Sequence, residues 1–329
     1  MNARRHLAWA LLAASALLVL AGLACGSDGW SWPAWGGEAG VIVSQVRAPR
    51  TLGAWLVGAL LGLAGAIAQG LFRNPLADPY LLGSASGASL AVVAVLAISA
   101  FGGAAVAWSA ADGLARLGLV GAAFVGALAG VLLTLVLARG ARETSRLLLA
   151  GVVVGVVLTA LGDLLASAAP EALRGRQVFM LGTTSFLGWD SSGWLAAGLL
   201  VILPVAWRLA RVLDALTLGE DSAMSLGLAL PRWRLVLVAA LALATGLAVS
   251  QAGLVAFVGL VSPHLVRRWA PAGHGYTVVA STAAGGVLLL AADVLARSLI
   301  APQELPVGVV TAVLGGGYLL WLLFRQRVA

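Results

Sequence analysis

Residues 208–234, RLARVLDALTLGEDSAMSLGLALPRWR, interrupt a chain that is otherwise almost continuously apolar. A membrane-spanning helix needs roughly 20 apolar residues. Asp214, Glu220 and Asp221, with Arg208, Arg211, Arg232 and Arg234 around them, exclude one here and place the stretch in water. Gly219 and Gly227 fall where helices stop, and the spacing predicts two short helices joined at Gly219. A structured polar loop between long apolar segments reads as a docking surface; the plainer reading is a connector whose charges keep it out of lipid.

On either side of this loop, composition sets the class. The chain has 329 residues, 61% hydrophobic and 10% charged, with a mean hydropathy of +1.01. Soluble domains carry about 25% charged residues. The chain therefore reads as an all-α polytopic membrane protein, one transmembrane domain over residues 1–329 with a loop at about 212–230. Net charge is +7 and all 20 basic residues are arginine. In a membrane protein, their placement relative to the bilayer explains that excess better than a nucleic-acid partner does. Cys25 is the single cysteine, which excludes an internal disulfide or a cysteine-based metal site.

The apolar runs predict ten spans, at 7–24, 51–71, 85–107, 117–138, 147–168, 193–209, 235–251, 254–266, 278–300 and 307–324. The basic start followed by an apolar run up to Cys25 also resembles a cleaved signal or lipoprotein leader; Gly22 is unusual for that site, and a retained first span is the reading adopted. Trp30, Trp32 and Trp35 suit an interfacial loop between the first two spans. The small residues of Gly83-Ser-Ala-Ser-Gly87 suit close helix contact. With the N-terminus inside, most arginines, among them Arg4, Arg5, Arg73, Arg139, Arg146, Arg208, Arg211, Arg267 and Arg268, fall on the cytoplasmic side. Both termini and the central loop are then cytoplasmic. Pro49-Arg50 followed by Gln69 recurs at the same spacing as Pro231-Arg232 followed by Gln251, five spans later, which suggests an inverted repeat.

Chemistry-bearing residues are sparse. His6, His264 and His274 have no metal-ligand spacing, no catalytic nucleophile motif occurs, and without lysine the chain cannot form a P-loop. Any ATP hydrolysis must lie in another chain. Asp163, in the fifth span, is expensive in lipid and is a candidate for the substrate path. Asp293 and Arg297 are four residues apart and can pair. Arg47, Arg50 and Arg297 lie at outer ends of their spans, against the positive-inside tendency, and together could receive an acidic partner.

Several runs resemble the permease subunits of ABC importers for iron-siderophores, haem and vitamin B12. They are Arg47-Ala-Pro-Arg50, Gln69-Gly-Leu-Phe-Arg-Asn-Pro-Leu-Ala-Asp-Pro79, Leu82-Gly-Ser-Ala-Ser-Gly-Ala-Ser89, Ser145-Arg-Leu-Leu-Leu-Ala-Gly151, Leu218-Gly-Glu220 with Leu226-Gly227, Phe257-Val-Gly-Leu-Val-Ser-Pro-His264, Ala292-Asp-Val-Leu-Ala-Arg297 and Glu304-Leu-Pro-Val-Gly308. The resemblance implies the type II importer permease fold in the bacterial inner membrane. It further implies a homodimer on two cytoplasmic ATPase subunits, fed by a periplasmic binding protein, carrying a ferric siderophore or alternatively haem or cobalamin. ATP and magnesium would be used by the ATPase, with no cofactor on this chain. By the same resemblance, Leu218, Gly219, Glu220, Asp221, Ser222, Leu226 and Gly227 couple to the ATPase. Thr144 and Ser145 form the cytoplasmic gate, and Arg47, Arg50 and Arg297 dock the binding protein. A proton-coupled transporter working alone and a non-transporting scaffold are the competing readings.

Overall fold

The structure, a computed structural model, describes residues 2–26, 29–31, 37–101, 113–140, 143–225 and 227–326. Trp32, Trp35 and Leu226 lie outside the described residues, as do positions 102–107 of the expected third span. Helix α1, Asn2–Ala24, leads into a two-residue antiparallel pair, β1 Cys25–Gly26 with β2 Gly29–Trp30. The short α2, Gly37–Ile42, continues through one wide π turn, Val43–Arg47, into α3, Ala48–Phe72. Much of the stretch expected to be a loop before the second span is therefore helical, and Ala39–Phe72 form one apolar helical run of 34 residues. A 3-10 turn at Pro79–Leu82 leads to α4, Ser84–Phe101, followed by α5, Gly113–Leu137, and α6, Thr144–Ala168.

The second half begins with α7, Pro170–Leu181, and α8, Trp189–Arg208. The central loop folds as α9, Ala210–Thr217, and α10, Glu220–Ser225, broken at Gly219 with φ +101° and closed at Gly227 with φ +80°. Its two helices and their glycine stops are those that the spacing predicts. Helices α11, Leu230–Ala252, α12, Val258–Trp269, α13, His274–Ser298, and α14, Val307–Gln326, complete the chain.

Among the described residues, eight helices are long and apolar enough to cross a membrane. The 20 residues of α14 supply a further apolar helix. The expected span at 254–266 is corrected: α12 has 12 residues, about 18 Å of helix, short of the ~30 Å hydrocarbon core. Chain reversal is the reason. Gly253 and Phe257 both take positive φ, +68° and +67°, and residues 253–257 carry no helix before α12 starts. Their backbone is paired inside the protein, Leu254 N donating to Phe179 O at 2.9 Å and Thr183 N to Ala252 O at 2.8 Å, as irregular backbone at membrane depth requires.

Helix α3 is the axis of the bundle, with 89% of its apolar window buried. Glycines permit this. A Cβ on Gly58 would sit 2.3 Å from Gly285 O, and one on Gly62 2.2 Å from Ser281 O, so α3 and α13 touch through their backbones. The α4–α5 crossing repeats the device: Cβ atoms on Gly87 and Gly130 would lie 2.2 Å from Gly126 O and 2.3 Å from Gly83 O. Helices α3 and α11 run in opposite directions, each with proline in its first turn and glutamine in its last, as an inverted repeat demands.

Both chain ends and the central loop share one face of the bundle. Arg4 donates to Pro271 O at 3.2 Å, and His274 N donates to Asp214 Oδ1 at 2.9 Å. Near the C-terminal end of α14, Arg268 lies over the Trp321 ring at 5.6 Å.

Candidate functional site

At the loop face, Glu220 opens α10 and collects partners from three other segments. Thr144, the first residue of α6, donates its hydroxyl to Glu220 Oε1 at 3.2 Å. Arg234, on the first turns of α11, pairs with the same oxygen at 2.5 Å, and Arg73, the left-handed cap of α3, lies at 3.8 Å. Partial burial would raise the Glu220 pKa, but the Arg234 hydrogen bond and charge, the Thr144 hydroxyl and Arg73 together hold it below the ordinary carboxylate value. Leu218, Asp221 and Ser222 remain exposed on the outer surface of the loop, Leu218 at 67%. Ser145 is exposed beside the half-buried Thr144. The structure thus joins one expected gate residue to one expected coupling residue. Leu226 falls outside the described residues.

A second anchor holds the loop to the bundle. Asp214 of α9 lies 2.7 Å from His274 Nδ1 and accepts the His274 backbone N–H at the N-terminus of α13.

At the opposite end, the three outer arginines are not a single exposed patch. Arg297 is 1% exposed; it pairs with Asp293 on its own helix and donates to Gly22 O at 3.2 Å and Cys25 O at 3.3 Å. Arg50, 8% exposed, bridges Asp293 at 3.2 Å and Glu304 at 2.9 Å. Thr184 donates to Asp293 at 2.5 Å and Ser185 to Glu304 at 3.0 Å. Arg50 and Arg297, expected to receive an acidic partner, are thus buried within this chain. Asp293 is fully buried and would be costly unpaired, so the arginines turn inward to it. Arg47 is half-buried and donates to Ser31 Oγ at 2.8 Å and Leu23 O at 3.2 Å.

Between these ends runs a groove of about 470 Å³ along α6. Gly151, Gly155, Thr159 and Asp163 follow one another every four residues and form one stripe of that helix, facing Tyr80 and Leu81. Asp163 closes the stripe and pairs with Arg176 of α7. It stands five residues before the end of α6, beside a cation rather than in bare lipid.

Residues 5–325 match the FecCD transport family. The chain belongs to that family. This FecCD chain is 39% identical over 329 residues to the vitamin B12 import system permease protein BtuC of Pectobacterium atrosepticum, covering 99% of this chain and 95% of the relative. It is 40% identical to the protein of the same name from Salmonella typhimurium strain LT2, covering 98% and 97%. Among solved structures, a metal-chelate type ABC transporter in an inward-facing conformation superposes with a TM-score of 0.85 at 25% identity, covering 96% of this chain and 98% of that one. PsaBC from Streptococcus pneumoniae in complex with Fab shares the fold, with a TM-score of 0.56 at 17% identity over 83% and 89%. The FecCD chain is the permease subunit of an ABC importer, a multi-pass membrane protein of a family whose ATPase is a separate subunit.

Four partners in these FecCD sites escaped the sequence reading. Arg73 and Arg234 hold Glu220, Glu304 holds Arg50, and Arg176 holds Asp163. Glu304 stood in a quoted family motif, but no local spacing ties it to Arg50. Arg176 stood in a stretch too polar and short to be read as a span, and α7 became visible only when folded against α6.

Proposed function

We propose that two copies of this chain form the membrane pathway of an ATP-driven importer for a corrinoid of the vitamin B12 class. The pathway crosses the bacterial inner membrane, with termini and central loop in the cytoplasm. One observation carries the mechanism: α6 is tied by Thr144 to the loop residue Glu220 at one end, bears the groove along its length, and is tied by Asp163 to α7 at the other. Thr144 and Asp163 are about 28 Å apart along the helix axis. A push on the loop is therefore delivered to the helix that lines the path.

Two ATPase subunits would seat on the exposed face at 218–227, using Leu218, Gly219, Asp221, Ser222, Leu226 and Gly227, while Glu220 faces inward and carries their motion to Thr144 and Ser145. A binding protein would dock at the opposite end. Arg47 offers the accessible cation there, Arg50 becomes available if Glu304 yields, and Arg297 supports Arg50 from beneath through Asp293. The cargo reading favours cobalamin over a ferric siderophore or haem because relatives about 40% identical along nearly their whole length are named for vitamin B12 import.

The test is ATP-dependent accumulation of labelled cyanocobalamin in proteoliposomes holding this chain with its ATPase and binding protein. Accumulation of a ferric chelate but not of cobalamin would replace the cargo. Uptake that follows a pH gradient with this chain alone would remove the ATP-driven mechanism.

A further inference from the structure

We propose that Asp163 and Arg176, with the hydroxyls of Ser86 and Thr159, form a cargo-binding station for primary carboxamides where the groove meets the cavity beside it. The proposal rests on the importer reading above and names the chemistry of its substrate. The two members of the ion pair differ in exposure: the Asp163 side chain is 58% exposed on the groove, whereas the Arg176 side chain is 14% exposed. Arg176 also lines a neighbouring cavity of about 230 Å³ with Tyr80, Ser86, Ser89, Thr159 and Met180. Asp163 lines the groove and Arg176 the neighbouring cavity, so the ion pair stands between the two spaces, with Thr159 common to both.

A guanidinium carries five N–H donors. Nη1 is engaged by Asp163, and the buried Nε has no hydrogen-bond partner among the described residues. The Ser86 and Thr159 hydroxyls give their single hydrogens to Gly83 O at 3.1 Å and Gly155 O at 2.8 Å, which leaves their oxygens as acceptors. Donors from Arg176 thus adjoin acceptors from Asp163, Ser86 and Thr159 in surroundings of glycine, alanine and valine. A carboxamide, which has both an N–H pair and a carbonyl, satisfies such a wall. A carboxylate meets Arg176 but is repelled by Asp163, and an apolar rim leaves the wall's polar groups unmatched. Corrinoids of the cobalamin type carry carboxamides around their macrocycle.

The experiment compares uptake of cyanocobalamin with uptake of its analogue in which one peripheral carboxamide is hydrolysed to a carboxylate. It uses the complete reconstituted complex bearing wild-type, Asp163→Asn or Arg176→Gln permease. Each variant is expressed relative to wild type, which cancels the preference of the binding protein. Asp163→Asn is expected to improve the carboxylate analogue relative to cyanocobalamin by roughly tenfold, because the repulsion is removed while hydrogen bonding persists. Arg176→Gln is expected to weaken both cargoes, the carboxylate by the larger factor. If both variants change the two cargoes by one common factor, or only lower the melting temperature of the complex, the pair is an interhelical pin and the station is refuted. Wild-type complex that imports a ferric chelate and no corrinoid refutes the cargo reading itself, a result separable from any variant effect.

Discussion

Thr144 and Glu220 are hydrogen-bonded at 3.2 Å across a sequence separation of 76 residues. The contact joins the first turn of α6 to the first residue of α10, and Arg234 and Arg73 fix the carboxylate from its other sides. Glu220→Gln keeps the shape of the side chain but weakens the attraction of both arginines. Transport is expected to fall about tenfold while basal ATPase activity of the complex is retained, measured as cargo moved per ATP hydrolysed. Unchanged stoichiometry would remove Glu220 from the coupling path.

The same carboxylate predicts a pH dependence. Glu220 titrates below its ordinary value of 4.5 in the folded protein, so its stabilising contribution is present above about pH 4.5 and is lost as pH falls through the folded value. Glu304 is displaced in the same direction, with its partial burial outweighed by Arg50 and Ser185. Purified protein should lose melting temperature between pH 5 and pH 3, on the order of a few degrees. In Glu220→Gln the loss should be smaller, and a variant as acid-sensitive as wild type would contradict the assignment.

Asp293 neutralises two buried arginines at once. Asp293→Ala leaves both without their central anion and is expected to cost about 3–5 kcal/mol, enough to abolish accumulation of folded protein in the membrane. Glu304→Gln removes one partly exposed partner and should cost about 1 kcal/mol. Detergent-solubilised melting curves of the two variants give the ranking, and equal losses would show that Asp293 is not the centre of the network.

Glycine contacts give a paired control. Gly65→Ala places a Cβ 1.7 Å from the backbone oxygen of Gly259, with no flexible atom to yield, and is expected to destabilise the α3–α12 contact by more than 3 kcal/mol. Gly118→Ala meets nothing within 4 Å and should be neutral or slightly stabilising. Expression and gel-filtration profiles of the two variants suffice to separate them.

Much of this was legible in the sequence because the bilayer imposes a length on apolar runs: α3, α6, α11 and α13 were each located to within a few residues. The loop at 208–234 was legible for the converse reason, since its charges cannot enter lipid. The departures have local causes. The run at 254–266 looked like a span because its residues are apolar, but hydropathy does not register that Gly253 and Phe257 turn the backbone to positive φ. Side-chain pairing was the least legible. Asp293 with Arg297 could be read from a helical interval, whereas Arg50 with Glu304 joins residues 254 apart, and only the folded approach of the first turn of α3 to the segment before α14 reveals it. The inward turn of Arg50 and Arg297 follows from the burial of Asp293 between them, which a helical interval does not report.

Helices α3 and α13 are clasped backbone to backbone through Gly58, Gly62, Ser281 and Gly285 and bolted at one end by Arg50 and Asp293. Sliding one past the other would drive backbone atoms into each other, since no side chains intervene to flex. The apolar window of α6, by contrast, is only 22% buried. The α3–α13 pair is accordingly a rigid pillar, and the displacement of the proposed transport stroke would have to be taken up by helices outside it.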